Sequence, residues 1–146
     1  MAEHRFHFKA TWPGGRNNVG AIECGALQSK ISIATGMGGP GIGTNPDEML
    51  LGAAGTCYLI TLAAVLERAG IAVESMALVS EIVIDVTNGV FACKKIIHRP
   101  QVRLAEGVDD AQRRKLAELL VTAERRCMIS NALRGNVEIT VAPQTR

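Results

Sequence analysis

Apolar residues along this chain recur with two periods, and the changes of period mark out its elements. "RFHFKATW" alternates apolar and polar side chains and predicts a strand, closed by the turn Pro13-Gly14-Gly15. "VGAIECG" and "LQSKISIA" predict two short strands on either side of Gly25. After the glycine-rich "GMGGPGIG", apolar residues fill most positions of "MLLGAAGTCYLITLAAVLERAG", a run too long for a strand and so a helix. Thr44 or Asn45 can cap it, Pro46 suits its first position, and Asp47 and Glu48 complement its dipole. Gly70 should end it. "AVESMALVSEIVIDV" and "VFACKKIIHRPQVRL" predict two long strands joined at Asn88-Gly89, a dipeptide that favours the tight hairpin turn. Asp109 or Asp110 starts a second helix, with Leu116, Leu119, Leu120 and Ala123 on one face and Cys127 continuing it. "MISNALRG" reads as a short helix ended by Gly135, and "NVEITVAP" as a last strand.

The predicted order is β-β-β-α-β-β-α-α-β. Neighbouring strands joined by tight turns make antiparallel sheets, so the expected class is α+β. With no repeat, linker or low-complexity segment, residues 1–146 are expected to form a single domain. The first helix is apolar around nearly its whole circumference. One small sheet cannot cover it, so a second copy is expected to, which predicts a homodimer.

Composition narrows the function. Of the 146 residues 47% are hydrophobic but only 3% aromatic, so the core must be aliphatic. The formal net charge of +2 is too small to argue for nucleic acid or an anionic membrane. "MAEHRFHFKATW" has no apolar h-region, so no secretory signal is expected. Gly52, Gly55 and Thr56 interrupt the apolar helix and charges bound it, which suits a buried helix better than a bilayer span. A cytoplasmic location is expected, where thiols stay reduced unless they do redox work.

"GMGGPGIG" contains the G-x-G-x-x-G spacing of a dinucleotide-binding turn. The expected helix opens several residues after the last required glycine. Asp47 and Glu48 stand where a pyrophosphate would sit and would repel it. No acid follows a second strand about 20 residues on, as ribose binding needs. The loop therefore reads as a flexible connector that could act as a lid.

The four cysteines, Cys24, Cys57, Cys93 and Cys127, form no C-x-x-C, and no His stands at ligand spacing from them, so no metal site is expected. His4 and His7 straddle Phe6 and make poor co-ligands. Cys24 and Cys93 fall in strands and are expected to pack. His98-Arg99-Pro100 should interrupt its strand at an edge or bulge. Arg125 and Arg126 read as cations at a helix C-terminus. Cys57, some three turns into its helix, is either a small buried hydrophobe or a reactive thiol needing a cation to favour its thiolate. Arg16, in a turn after "WPGG", is a candidate for that cation. Asp47 or Glu48 could hold it in place.

On these residues the chain resembles the OsmC/Ohr family of thiol peroxidases. "GIGTNPDEMLLGAAGTCYLITLAAVLERAGI" is similar to the family's first-cysteine motif and "CMISNAL" to its second. "GGR" at Gly14-Gly15-Arg16 falls where the family has its active-site arginine, and "NGVFACKKIIHRPQVRL" resembles the strand between the motifs. The resemblance implies an OsmC-like fold, with antiparallel sheets packed around a long central helix in an intertwined homodimer. It implies that Cys57 is the peroxidatic and Cys127 the resolving cysteine, and that Arg16 stabilises thiolate and peroxide. Asp47 stands where Ohr-type members have the arginine's glutamate, one methylene shorter, and Glu48 is the alternative partner. Met128 follows Cys127 where many members have proline, which resembles the general OsmC-like peroxiredoxins more than Ohr proper.

The implied activity is reduction of organic hydroperoxides, and of hydrogen peroxide, to alcohols or water, through a Cys57 sulfenic acid and a Cys57–Cys127 disulfide. It needs no cofactor beyond an external reductant, a dithiol or a lipoylated protein. A non-enzymatic small-molecule-binding or redox-sensing protein of the same fold is the alternative.

Overall fold

The computed structural model describes residues 1–143. Its elements follow the predicted order: β1 (Lys9–Thr11), β2 (Gly20–Cys24), β3 (Leu27–Ile31), α1 (Pro46–Arg68), β4 (Val73–Thr87), β5 (Val90–Leu104), α2 (Asp110–Arg126), α3 (Met128–Leu133) and β6 (Glu138–Val141). The chain divides into two compact units, Met1–Met49 and Leu50–Arg146.

In the first unit β1, β2 and β3 form an antiparallel sheet in that order. The first strand is shorter than its alternation predicts. Lys9 already pairs with Glu23, and β2 ends one residue later at Cys24. Residues 5–8 therefore have no partner strand.

The glycine-rich segment also differs from expectation. It is a folded turn closed by its own hydrogen bonds, not a loose connector. The N–H groups of Met37 and Gly39 donate to Ala34 O, that of Gly41 to Ile33 O, and that of Thr44 to Lys30 O. The Ser32 side chain closes the middle, donating to Ile42 O at 2.7 Å and accepting from Ile42 N–H at 2.8 Å. Gly43 has φ 71°, and a Cβ there would collide with the Lys30 carbonyl, so only glycine lets the chain return against β3. The return delivers the cap of α1. Asn45 Oδ1 accepts from Glu48 N–H at 2.9 Å, and Thr44 Oγ1 donates to Glu48 Oε1 at 2.9 Å. Of the two caps the sequence offered, Asn45 serves the backbone.

In the second unit β4 and β5 form a long hairpin. Asn88 and Gly89 both have positive φ, 52° and 74°, the signature of the type I′ turn. Partners run in register from Thr87↔Val90 with two exceptions: at the far end Val73 pairs with Leu104 but Ser75 with Arg103, and nearer the turn Val83 pairs with Lys95 but Ile84 with Cys93. Lys94 is thus an extra residue, and this bulge turns Cys93 inward. The predicted interruption at His98-Arg99-Pro100 is absent. β5 runs straight through, with Pro100 opposite Leu78. β6 pairs only with Lys95 through His98, so at Pro100 one edge of β5 is open and the missing N–H costs little.

β6 lies parallel to β5, a correction to the expected all-antiparallel sheets. Two helices separate the strands in sequence, and that is the crossover a parallel neighbour requires.

Packing decides α1. Gly52, Gly55 and the β-branched residues lower its intrinsic helicity by roughly 0.5–1 kcal/mol each. Full burial of a large apolar side chain is worth roughly 1.5–3 kcal/mol, and Tyr58, Leu62, Val65 and Leu66 are all buried. They pack on Met76, Leu78, Val102 and Leu104 of the β4–β5 hairpin and on Leu120 and Ala123 of α2. The Tyr58 hydroxyl donates to Leu120 O at 3.0 Å and fastens the two helices. By length and a mean hydropathy of 2.0, α1 resembles a membrane span, but this packing is that of a core helix. One stripe, including Ala53, Thr56, Ile60 and Ala63, stays exposed.

Candidate active site

Cys57 lies midway along α1 and is half-buried. Cys127 lies at the junction of α2 and α3, fully buried, and all four cysteines are free thiols. The helical face through Leu116 and Ala123 predicts that Cys127 continues α2. It instead ends that helix and caps the next, with ψ 121°. Its N–H donates to Glu124 O, and its carbonyl accepts from Asn131 N–H in the first turn of α3. Glu124, nearly buried, binds Arg134 Nη2 at 3.0 Å, so the last turn of α2 and the end of α3 are clamped on either side of the cysteine. The sequence reading missed this pair; its ten-residue spacing carries no local signal.

The fold brings the two thiols together. Burial pushes the Cys57 thiol up, but hydrogen bonds from Ile129 N–H, the Cys127 thiol, the Thr61 hydroxyl and Met128 N–H outweigh it, so the group lies below its ordinary range. Cys57 Sγ stands 3.9 Å from Thr61 Oγ1, one turn further along α1. Cys127 moves the opposite way. Burial raises it first, and contact with Cys57 adds to that, against lowering by the Ser130 side chain and N–H. The pair is therefore polarised: the half-buried thiol is shifted toward ionisation and the sealed one away from it. The amides of Ile129 and Met128 were not expected as thiolate donors. A thiol's helix can be read from sequence; whose backbone ends beside it cannot.

The other candidates belong to the first unit. Arg16 is exposed in the turn after Trp12, whose Nε1–H donates to Gly15 O at 2.9 Å. Arg16 Nη1 donates to Asn17 Oδ1 at 3.0 Å. Within this unit the structure does not pair Arg16 with Asp47 or Glu48. Asn17 is the nearer acceptor in sequence, and the Glu48 carboxylate takes Thr44. A concave surface of about 570 Å³ over β1–β3, bordered by Lys9, Glu23, Gln28 and Lys30, involves none of these candidates.

Cys24 ends β2 half-buried, and Cys93 packs beside Ala54 and Ile96. Among the described residues no cluster of His, Cys, Asp and Glu has the makings of a metal site.

His98 is a finding of the structure. It is fully buried, its ring stacks on Tyr58 at 4.8 Å, Nδ1 meets Ser80 Oγ at 2.7 Å, and Nε2 has no partner. Burial pushes its imidazole below the usual range. The folded state then resists a proton that the unfolded chain accepts. The stability this contributes is whole above about pH 6.5 and is lost as pH falls from there through the depressed folded value. Urea midpoints should be lower at about pH 5.5 than at about pH 7.5. The difference should shrink in His98→Gln, which takes up no proton. Equal wild-type midpoints would refute a neutral buried His98.

Comparison with known proteins gives the family. Residues 38–142, which include both cysteines, match the family described as OsmC-like protein. The uncharacterized protein YmaD of Bacillus subtilis (strain 168) is 55% identical over 139 residues, covering 95% of this chain and 93% of that one. The organic hydroperoxide resistance protein of Xanthomonas axonopodis pv. citri (strain 306) is 30% identical over 137 residues, covering 90% and 89%. Among solved structures, the organic hydroperoxide resistance protein OsmC from Legionella pneumophila superposes with a TM-score of 0.79 at 24% identity, covering 99% of this chain and 100% of that one. The fold, the two cysteine motifs and these matches together place the chain in the OsmC-like protein family.

Proposed function

We propose that this protein is a two-cysteine thiol peroxidase acting on organic hydroperoxides. The observation that carries the reading is the contact between a thiol with a lowered pKa, Cys57, and a buried partner thiol, Cys127, distant in sequence. The name of the Xanthomonas relative, an organic hydroperoxide resistance protein, supports the substrate class.

The Cys57 thiolate attacks the distal peroxide oxygen. The O–O bond breaks, the alkoxide leaves and takes a proton as the alcohol, and Cys57 becomes a sulfenic acid. Cys127 then displaces hydroxide from that sulfur, giving a disulfide and water. An external dithiol, free or on a lipoylated protein, reduces the disulfide and is itself oxidised. The roles of Arg16 as stabilising cation, of Asp47 or Glu48 as its carboxylate partner, and of the general OsmC-like rather than Ohr-type subgroup follow from the motif resemblance. A homodimer that covers the exposed stripe of α1 is the proposed assembly, and its mass in solution checks it.

The deciding experiment is mass spectrometry after one equivalent of cumene hydroperoxide. The expected product is an intramolecular Cys57–Cys127 disulfide, two hydrogens lighter than the reduced chain. A chain that keeps all four thiols while the peroxide persists would favour the non-enzymatic binding or sensing protein.

A further inference from the structure

Thr61 stands one turn after Cys57 on α1 and is half-buried. Threonine is a weak helix former, because its branched side chain loses freedom against the preceding turn. In a helix interior its hydroxyl commonly donates to the carbonyl four residues back. Thr122 of α2 does so, donating to Glu118 O at 3.0 Å. Thr61 differs. Its hydroxyl meets the Cys57 side chain, with Oγ1 3.9 Å from Sγ, and has no other hydrogen-bond partner among the described residues. Side chains four apart share a helix face and tilt toward the N-terminus, so Thr61 reaches back over the turn that carries the thiol. Tyr58 and Leu62, the next residue after each, anchor that turn in the core.

The proposed reaction gives this contact a task. Attack on a peroxide needs the thiolate, and an anionic sulfur accepts a hydrogen bond more strongly than a neutral one. Burial raises the Cys57 thiol, and the Thr61 hydroxyl is among the groups that lower it, with Ile129 N–H, the Cys127 thiol and Met128 N–H. Of these the Cys127 thiol alone titrates, and the next step consumes it. The Thr61 hydroxyl stays neutral across the pH range of the reaction. We propose that Thr61 is a catalytic residue of the peroxide-reducing step, its hydroxyl donating a hydrogen bond to Cys57 Sγ as the thiolate attacks. The S–O bond forms as the O–O bond of the hydroperoxide breaks. The leaving alkoxide takes a proton from water and departs as the alcohol. Thr61 keeps its own proton and is neither oxidised nor reduced. The assignment rests on the peroxidase reading and adds a residue to its first half.

The test measures ionisation and peroxide reduction on the same variants. Alkylation of Cys57 by iodoacetamide is followed across a range of pH by peptide mass spectrometry, which separates it from Cys24, Cys93 and Cys127. Sulfenic acid formed with one equivalent of cumene hydroperoxide is trapped with a dione. Thr61→Val keeps the shape and loses the hydroxyl. Its alkylation midpoint should rise by about half a pH unit to one unit, the scale of a single hydrogen bond. A merely structural role would not move that midpoint. Well below it, sulfenic acid should form about two- to threefold more slowly, the loss of thiolate being partly offset by the greater nucleophilicity of a less acidic thiol. Thr61→Ser, which keeps a hydroxyl, should stay near the wild-type midpoint. Thr61→Ala replaces the valine variant if that one fails to fold. The wild-type midpoint in a folded hydroxyl-free variant would overturn the role of Thr61 alone. Wild-type protein that never forms a sulfenic acid would overturn the peroxidase reading and this catalytic role with it.

Discussion

Replacing Cys57 by serine is expected to abolish hydroperoxide turnover, by roughly a thousandfold or more, the scale reached when an enzyme loses its nucleophile. A serine hydroxyl stays protonated near neutral pH, and the amides of Ile129 and Met128 cannot turn it into an anion as they favour a thiolate. The substitution exchanges one sulfur for an oxygen at a half-buried position of α1, and the packing of Tyr58, Leu62, Val65 and Leu66 does not depend on it. The variant should therefore fold, and circular dichroism should match the wild type. Consumption of tert-butyl hydroperoxide with a dithiol is the assay. Because the Cys57 thiol lies below its ordinary range, the wild-type rate should fall as pH drops through a value below that of a free thiol. Arg16→Ala should lower the rate less than loss of the thiol, by about ten- to a hundredfold if its guanidinium hydrogen-bonds the thiolate. Full activity in Cys57→Ser would end the peroxidase proposal, whereas full activity in Arg16→Ala would remove only the arginine from it.

Replacing Cys127 by serine should separate the reaction into halves. The peroxidatic thiol remains, and one equivalent of peroxide is still consumed. The sulfenic acid then lacks the buried thiol that would condense with it, so steady turnover with a dithiol should collapse. Excess peroxide should carry Cys57 to the sulfinic and sulfonic acids, seen as gains of two and three oxygens. The expected effect is large because Cys127 is the thiol that meets Cys57, while Cys93 is packed beside Ala54 and Ile96. Undiminished turnover in Cys127→Ser would mean that the external dithiol resolves Cys57 directly. The contact between the two sulfurs would then serve only to poise the first.

Much of the fold is local information. Asn88-Gly89 dictates its turn because both residues tolerate positive φ, and the turn fixes the register of the hairpin that follows. Asp109 and Gln112 form a capping box, so α2 starts where the sequence marks it. The two cysteine motifs are likewise readable in one dimension, and they carried the family assignment before any coordinates. The glycine-rich segment looked flexible because glycine frequency reports freedom of the unfolded chain. It cannot report that Ser32 and the carbonyls of Lys30, Ile33 and Ala34 close the loop.

What the sequence by itself determined is the order of elements, the ends of α1, the start of α2, the hairpin turn, and which cysteines to watch. Each follows from residues within a few positions of one another, where propensity, capping and periodicity act. Tertiary structure decided the rest: the parallel seat of β6, the bulge at Lys94, the burial of His98, and the meeting of Cys57 with Cys127 and the amides of α3. Those depend on which surfaces pack across large gaps in sequence. The polarisation of the two thiols arises there too, because burial and a neighbour's backbone N–H are properties of a place in the fold, not of a cysteine.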